Sequence, residues 1–174
     1  MIVCLGWGSL IWDPRNLKIK GKWRNDGPNM AVEYLRQSRD GRITLVIDDT
    51  GIPKYPVLWA EMDFSDVNDA RENLRDREGT TFPNIGFWRT GEKCPATIPG
   101  LTDWASSKKV DAVLWTALPP KFGGVNGRKP TLEEVICHLD NLEPTRKASA
   151  VKYIRSTPKQ ITTPYRGKLE EHLG

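Results

Sequence analysis

The sequence predicts one α+β domain whose mostly antiparallel sheet curls into a small barrel with helices packed on it. Three observations predict this. Alternating, strand-like patterning dominates up to Leu118, a single helical stripe at Val67, Ala70 and Leu74 interrupts it, and two capped helical segments follow Pro130. The first element is the apolar run Ile2 to Leu5, a buried strand that runs into Gly6-Trp7-Gly8-Ser9-Leu10. Met30 to Ser38 alternates, Asp40-Gly41 turns, and Arg42 to Asp48 alternates again, which reads as a hairpin. Tyr55 to Met62 is a further strand, expected in the hairpin's sheet and packed with it on the following helix. Ser65 is the expected cap of that helix and Gly79 its stop. Asn84 to Arg89 and Lys109 to Leu118 read as strands, with an excursion loop from Arg89 to Ser107 between them. Pro130, Thr131 and Glu134 open a helix with a capping box, and Pro144 to Arg155 forms another. The domain spans 1–158, and 159–174 reads as an irregular basic tail.

Composition narrows the function classes. The chain has 174 residues, suited to one domain with a sizeable core. No apolar run approaches the roughly 18 residues of a membrane span, and Met1 to Leu5 lacks a basic flank, so neither a membrane partner nor a signal peptide is expected. The chain reads as cytoplasmic. The net charge of +4 comes from interleaved charges, so no nucleic-acid partner is expected, and the seven Trp residues read as core or cleft walls. Cys4, Cys94 and Cys137 have no paired spacing, and only two His residues are present, so no metal site or disulfide framework is expected. Cys4 reads as an inert core thiol.

Glu78 is the candidate catalytic residue. At about 100° per residue it continues the arc of Val67, Ala70 and Leu74. It also lies in the last turn, where the helix dipole disfavours negative charge. Burial and dipole both raise its pKa from about 4.3 toward that of a general base. The other reading is a frayed helix end with Glu78 in water. The loop Gly6, Trp7, Gly8, Ser9, Leu10 is either an ordinary tight turn or a cradle of backbone N–H groups for a carboxylate or oxyanion. It lacks the third glycine and the Lys-Ser/Thr ending of nucleotide loops. Arg36 and Ser38 share a face with Val32 and Tyr34. They either reach a substrate carboxylate or mark a strand end emerging into solvent.

The stretch Gly6-Trp7-Gly8-Ser9-Leu10-Ile11-Trp12 resembles the Y-G-S loop of gamma-glutamylcyclotransferases, and its Ile-Trp ending is similar to the glutathione-degrading ChaC-like branch. Arg77-Glu78-Gly79, after the strand Tyr55 to Met62, resembles the context of that family's catalytic glutamate. The strand at Ala112 to Thr116 and the helix ending near Tyr153 also fit, so the resemblance covers most of the chain up to Pro158. It implies cyclisation of a small-molecule gamma-glutamyl substrate to 5-oxoproline with release of an amine, no cofactor, Glu78 as proton carrier and residues 6 to 10 as the glutamyl cradle. The family usually has Tyr where this chain has Trp7, which keeps a flat apolar wall but replaces the hydroxyl by an indole N–H. Arg36, Ser38 and Arg42 are loose candidates for the Arg-Gly element of that branch. The alternatives are a non-catalytic ligand-binding module on the same fold and a nucleic-acid binder using the Trp residues.

Overall fold

The computed structural model describes residues 1–174 and shows an α+β chain. Its largest sheet has five strands: β1 (Ile2–Gly6), β2 (Ile19–Arg24), β7 (Leu58–Met62), β8 (Ile85–Arg89) and β9 (Ala112–Thr116), in the order β2-β7-β1-β9-β8. β1 pairs antiparallel with β7 and parallel with β9. The second sheet has four strands, β4 (Val32–Gln37), β5 (Ile43–Ile47), β10 (Lys121–Phe122) and β11 (Val125–Asn126), in the order β11-β10-β4-β5. β3 (Asn29–Met30) and β6 (Tyr55–Pro56) form a short separate pair.

The central strand explains the layering. Every residue of β1 is buried, so both faces of the large sheet are covered. Ile2 and Cys4 join Leu114 and the stripe Val67, Ala70, Leu74 of α1 (Val67–Glu78). Val3 and Leu5 face the other way, into a larger core with Val32, Tyr34 and Leu45 of the hairpin. That core also takes Val135 and Leu139 of α3 (Leu132–Asp140), Ile154 of α4 (Pro144–Ser156) and Leu169 of α5 (Pro164–Leu173). Each fully buried side chain of this size stabilises by roughly 1.5–3 kcal/mol.

Several expectations need correction. The strands form three sheets and no closed barrel. The hairpin pairs as predicted, yet it lies on the opposite side of the large sheet from α1. Apolar periodicity marks a buried face without saying which layer covers it. β5 remains an edge because side chains satisfy Leu45: its N–H donates to the Tyr153 hydroxyl and its carbonyl accepts from the Trp7 indole N–H, each at 3.2 Å. α1 is capped by Asp66, whose carboxylate accepts from the N–H groups of Asn68 and Asp69, and not by Ser65. The capping box of Thr131 and Glu134 forms in both directions.

Besides the short strands β10 and β11, three longer elements have no counterpart in the sequence reading. β2 is a largely exposed edge strand with Lys20 and Lys22, polar in the way free edges are. α2 (Leu101–Lys108) occupies the end of the expected excursion loop and buries Leu101 and Ala105. α5 replaces the irregular tail, starting at the cap Thr163 with Pro164 in its first turn.

Candidate functional site

β1 and β9 are the parallel pair of the large sheet, so their carboxyl ends lie side by side. Chain leaving such ends splays apart and opens a crevice. Here the crevice is a cleft of about 180 Å³ walled by residues 5–10 at and beyond the end of β1, by Thr116 and Leu118 at and beyond the end of β9, and by Thr44–Val46 of β5. The last residue of α1, Glu78, enters it from one side and Tyr153 of α4 from the other.

Glu78 is 13% exposed at its side chain, because Gly79 ends the helix in a left-handed turn at φ 60° and leaves the carboxylate beneath the loop. Burial pushes its pKa up, and Arg77, Thr116 and Arg15 pull it partly back. The Thr116 hydroxyl lies beside the carboxylate, buried, yet outside hydrogen-bond geometry with any group of the protein. Cys4 sits below, its thiol pushed up by burial and then by the Glu78 charge, as a core thiol should be.

Arg77 organises the floor of the site. Its guanidinium is almost fully buried and donates to Glu78 at 3.2 Å, to the Ser9 hydroxyl at 3.2 Å and to the Asp13 carbonyl at 2.6 Å. It thus ties the glycine loop to the last turn of α1. Its Nε is buried and has no partner in the protein. Arg77 falls three residues after Leu74 and seven after Ala70, so the periodicity that turns Glu78 inward turns Arg77 inward too. The sequence therefore carries the same signal for Arg77 as for Glu78.

The glycine loop is held open. Among the turn and loop hydrogen bonds, the backbone N–H groups of Trp7, Gly8, Ser9 and Leu10 find no acceptor. A run of free N–H groups at a cleft is a site for negative charge. Gly8 leaves no room for a side chain unless Tyr153 shifts: a Cβ would meet the Tyr153 hydroxyl at 2.5 Å. Burial pushes the Tyr153 hydroxyl up to about 12, so it stays protonated at neutral pH. Trp7 is buried and its indole N–H is committed to Leu45, which leaves only its apolar ring to the cleft.

Gly6, Trp7, Gly8, Ser9, Leu10 and Glu78 all line this one cleft. Arg36 and Ser38 do not line it. A register shift after Tyr34 re-aims the strand, Arg36 donates to the Pro119 carbonyl at 2.7 Å, and the Ser38 hydroxyl closes the hairpin turn on Asp40 and Arg42. Arg42 does reach the cleft, with its guanidinium 5.6 Å from the Tyr153 ring centre and its Nε 2.7 Å from Asp40, off hydrogen-bond alignment. Arg15 joins it from a left-handed backbone position at φ 50°, paired with Asp13 at 3.2 Å. Arg15, Thr116 and Tyr153 had no local signal of a site role, because each arrives from a different element.

No protein-family model and no curated protein matches this chain. Arg15, Arg42 and Arg77 line the same cleft as the buried Glu78 carboxylate, together with a loop whose N–H groups have no protein acceptor, a lining that favours an anionic ligand next to a group that can accept a proton.

Proposed function

We propose that the cleft cyclises a gamma-glutamyl compound to 5-oxoproline and releases the attached amine. The observation that carries this reading is the union of Glu78, buried and raised in pKa, with the unpaired N–H groups of the 7–10 loop across a cleft of about 180 Å³. The substrate's own α-amine attacks its side-chain carbonyl, forming the ring C–N bond as the amide C–N bond breaks. One proton passes from the attacking amine nitrogen to the leaving one, and Glu78 carries it. The step is intramolecular, so holding the substrate folded supplies much of the acceleration. The loop N–H groups meet the negative charge on the carbonyl oxygen, and the arginines receive the α-carboxylate. The resemblance of the Gly6–Trp12 and Arg77–Gly79 segments to gamma-glutamylcyclotransferases supports the same chemistry.

The test is incubation with a panel of gamma-glutamyl amides and assay of 5-oxoproline. Lactam formation is expected. Binding of the amides without any lactam would instead mark a ligand-binding module.

A further inference from the structure

Thr116 ends β9 at a point where an apolar residue would suit the packing. Ala112 and Leu114 face α1 and join Val67, Ala70 and Leu74, whereas Val113 and Trp115 face the larger core. The strand period of two therefore puts Thr116 on the α1 side, by the last turn that carries Glu78. Valine would fill that space with the same branched shape. Threonine instead brings a hydroxyl that is buried and bonded to nothing in the protein, which costs stability until a partner is found. The cleft concentrates such atoms. Of the five buried side-chain nitrogen and oxygen atoms without a partner, Arg42 Nε, Arg77 Nε and Thr116 Oγ1 belong to residues that line it. The two guanidinium groups make other contacts, and the Thr116 hydroxyl makes none.

Chemistry identifies the partner. The titratable groups around Glu78 are Arg77 on its own helix, Arg15 beyond the glycine loop, Arg42 beside β5, Cys4 on β1 and Tyr153 on α4. The guanidinium groups only donate, which favours the ionised carboxylate, and they cannot accept from the O–H of its protonated form. The Cys4 thiol donates to the Leu5 carbonyl, and the Tyr153 hydroxyl is engaged by Leu45. A threonine hydroxyl both donates and accepts. Thr116 lies beside the carboxylate, where it can donate to the ionised form and accept from the protonated one. We infer that Thr116 is a positioning residue for Glu78, one that holds its carboxyl toward the cleft both before and after it takes the substrate's proton.

This inference rests on the cyclotransferase reading, and the experiment separates the two. Wild type, Thr116→Val and Thr116→Ser are assayed for 5-oxoproline from gamma-glutamyl methylamide and from gamma-glutamyl alanine. In protein without substrate, the Glu78 side-chain carboxyl resonance, assigned by its loss in Glu78→Gln, is followed against pH by NMR, and thermal unfolding is recorded. Thr116→Val is expected to lose about tenfold or more in kcat with much less change in KM, because the proton carrier is misaligned while the substrate still binds. Its Glu78 midpoint should rise, since the lost bond is stronger to the ionised form, and its unfolding temperature should hold or rise. Thr116→Ser should restore most of the kcat and the midpoint. A kcat for Thr116→Val within about twofold of wild type, or a Ser variant as slow as the Val variant, overturns the positioning role and leaves the reaction standing. No lactam from wild type with either compound overturns the reaction. In that case a midpoint raised in Thr116→Val and restored in Thr116→Ser supports the hold of Thr116 on Glu78, and an unmoved midpoint overturns both.

Discussion

Glu78 is balanced between burial, which raises its pKa, and Arg77, which opposes that rise. A carboxyl whose folded pKa lies above its unfolded one favours the fold below the unfolded value of about 4.3 and loses that contribution as pH rises through the folded value. Glu78→Gln never ionises. Thermal unfolding of the variant should therefore match or exceed wild type at neutral pH, and the gap should close as pH falls below the ordinary carboxylate range. Lactam turnover should drop on the order of 10² to 10⁴, with far less change in substrate affinity, because the proton transfer belongs to the transition state. A variant that keeps more than about a tenth of the turnover would exclude Glu78 as the proton carrier. Arg77→Met should act in a different way. Without the guanidinium the Glu78 pKa climbs further, so the acid limb of kcat/KM should move to higher pH. Arg77→Lys keeps the charge without the fork that reaches Ser9 and Asp13, so its limb should move less. An unmoved limb in both variants would show that Arg77 does not tune the acid.

At the scale of elements, the site depends on how three pieces meet: the loop after β1, the edge strand β5 and the helix α4. Trp7 and Tyr153 take the two backbone groups of Leu45, and Gly8 sits under the Tyr153 hydroxyl. Gly8→Ala should therefore push Tyr153 off Leu45, at a cost of about 1–3 kcal/mol typical of overpacking. In a Tyr153→Phe background the hydroxyl is gone and the same substitution should cost less. The double-mutant cycle, read by denaturant unfolding, measures that coupling. Additive effects within about 0.5 kcal/mol would show that the loop and helix do not bear on each other there.

At the scale of the molecule, α5 is part of the core. The buried Arg166 guanidinium donates to the carbonyls of Pro158, Ile161 and Thr157 at 2.6, 2.8 and 3.0 Å. Glu33 of β4, also buried, accepts from the Thr163 hydroxyl at 2.6 Å and from the N–H groups of Tyr34 and Tyr165 at 2.9 and 3.1 Å. Together these fasten the last helix to the hairpin sheet. Arg166→Met should lower stability by about 3 kcal/mol or more, since three backbone carbonyls, two of them buried, lose their donor. Truncation after Pro158 should be worse. It uncovers Glu33 and removes Ile161 and Leu169, each fully buried and worth roughly 1.5–3 kcal/mol. Against the usual stability of about 5–15 kcal/mol, the 1–158 fragment should lose cooperative unfolding. A sharp, near-wild-type transition for the fragment would refute that role for α5.

Local signals settled what was local. The stripe Val67, Ala70, Leu74, the Asp40-Gly41 turn, the Thr131–Glu134 box and the stop at Gly79 are each written within a few residues, because backbone period and capping act over that range. They put Glu78 on the arc of the buried stripe and mark a glycine loop after a buried strand, but leave open whether that helix end is buried or in water. Even α5 had its cap and proline in the chain, obscured by the basic residues around them. Only the tertiary structure decided the rest. Which layer covers each face of β1, and whether β5 meets another strand or two side chains, depend on partners far apart in sequence. Arg77 reaches Ser9 across 68 positions and Tyr153 reaches Leu45 across 108, bonds that no local pattern encodes. The same holds for Arg36. The strand pattern put it on the face of Val32 and Tyr34 without deciding whether that end reaches a site or solvent, and a register shift after Tyr34 leaves it donating to Pro119. A period-two pattern specifies a face only while the register is unbroken, and the register is a property of the paired strands.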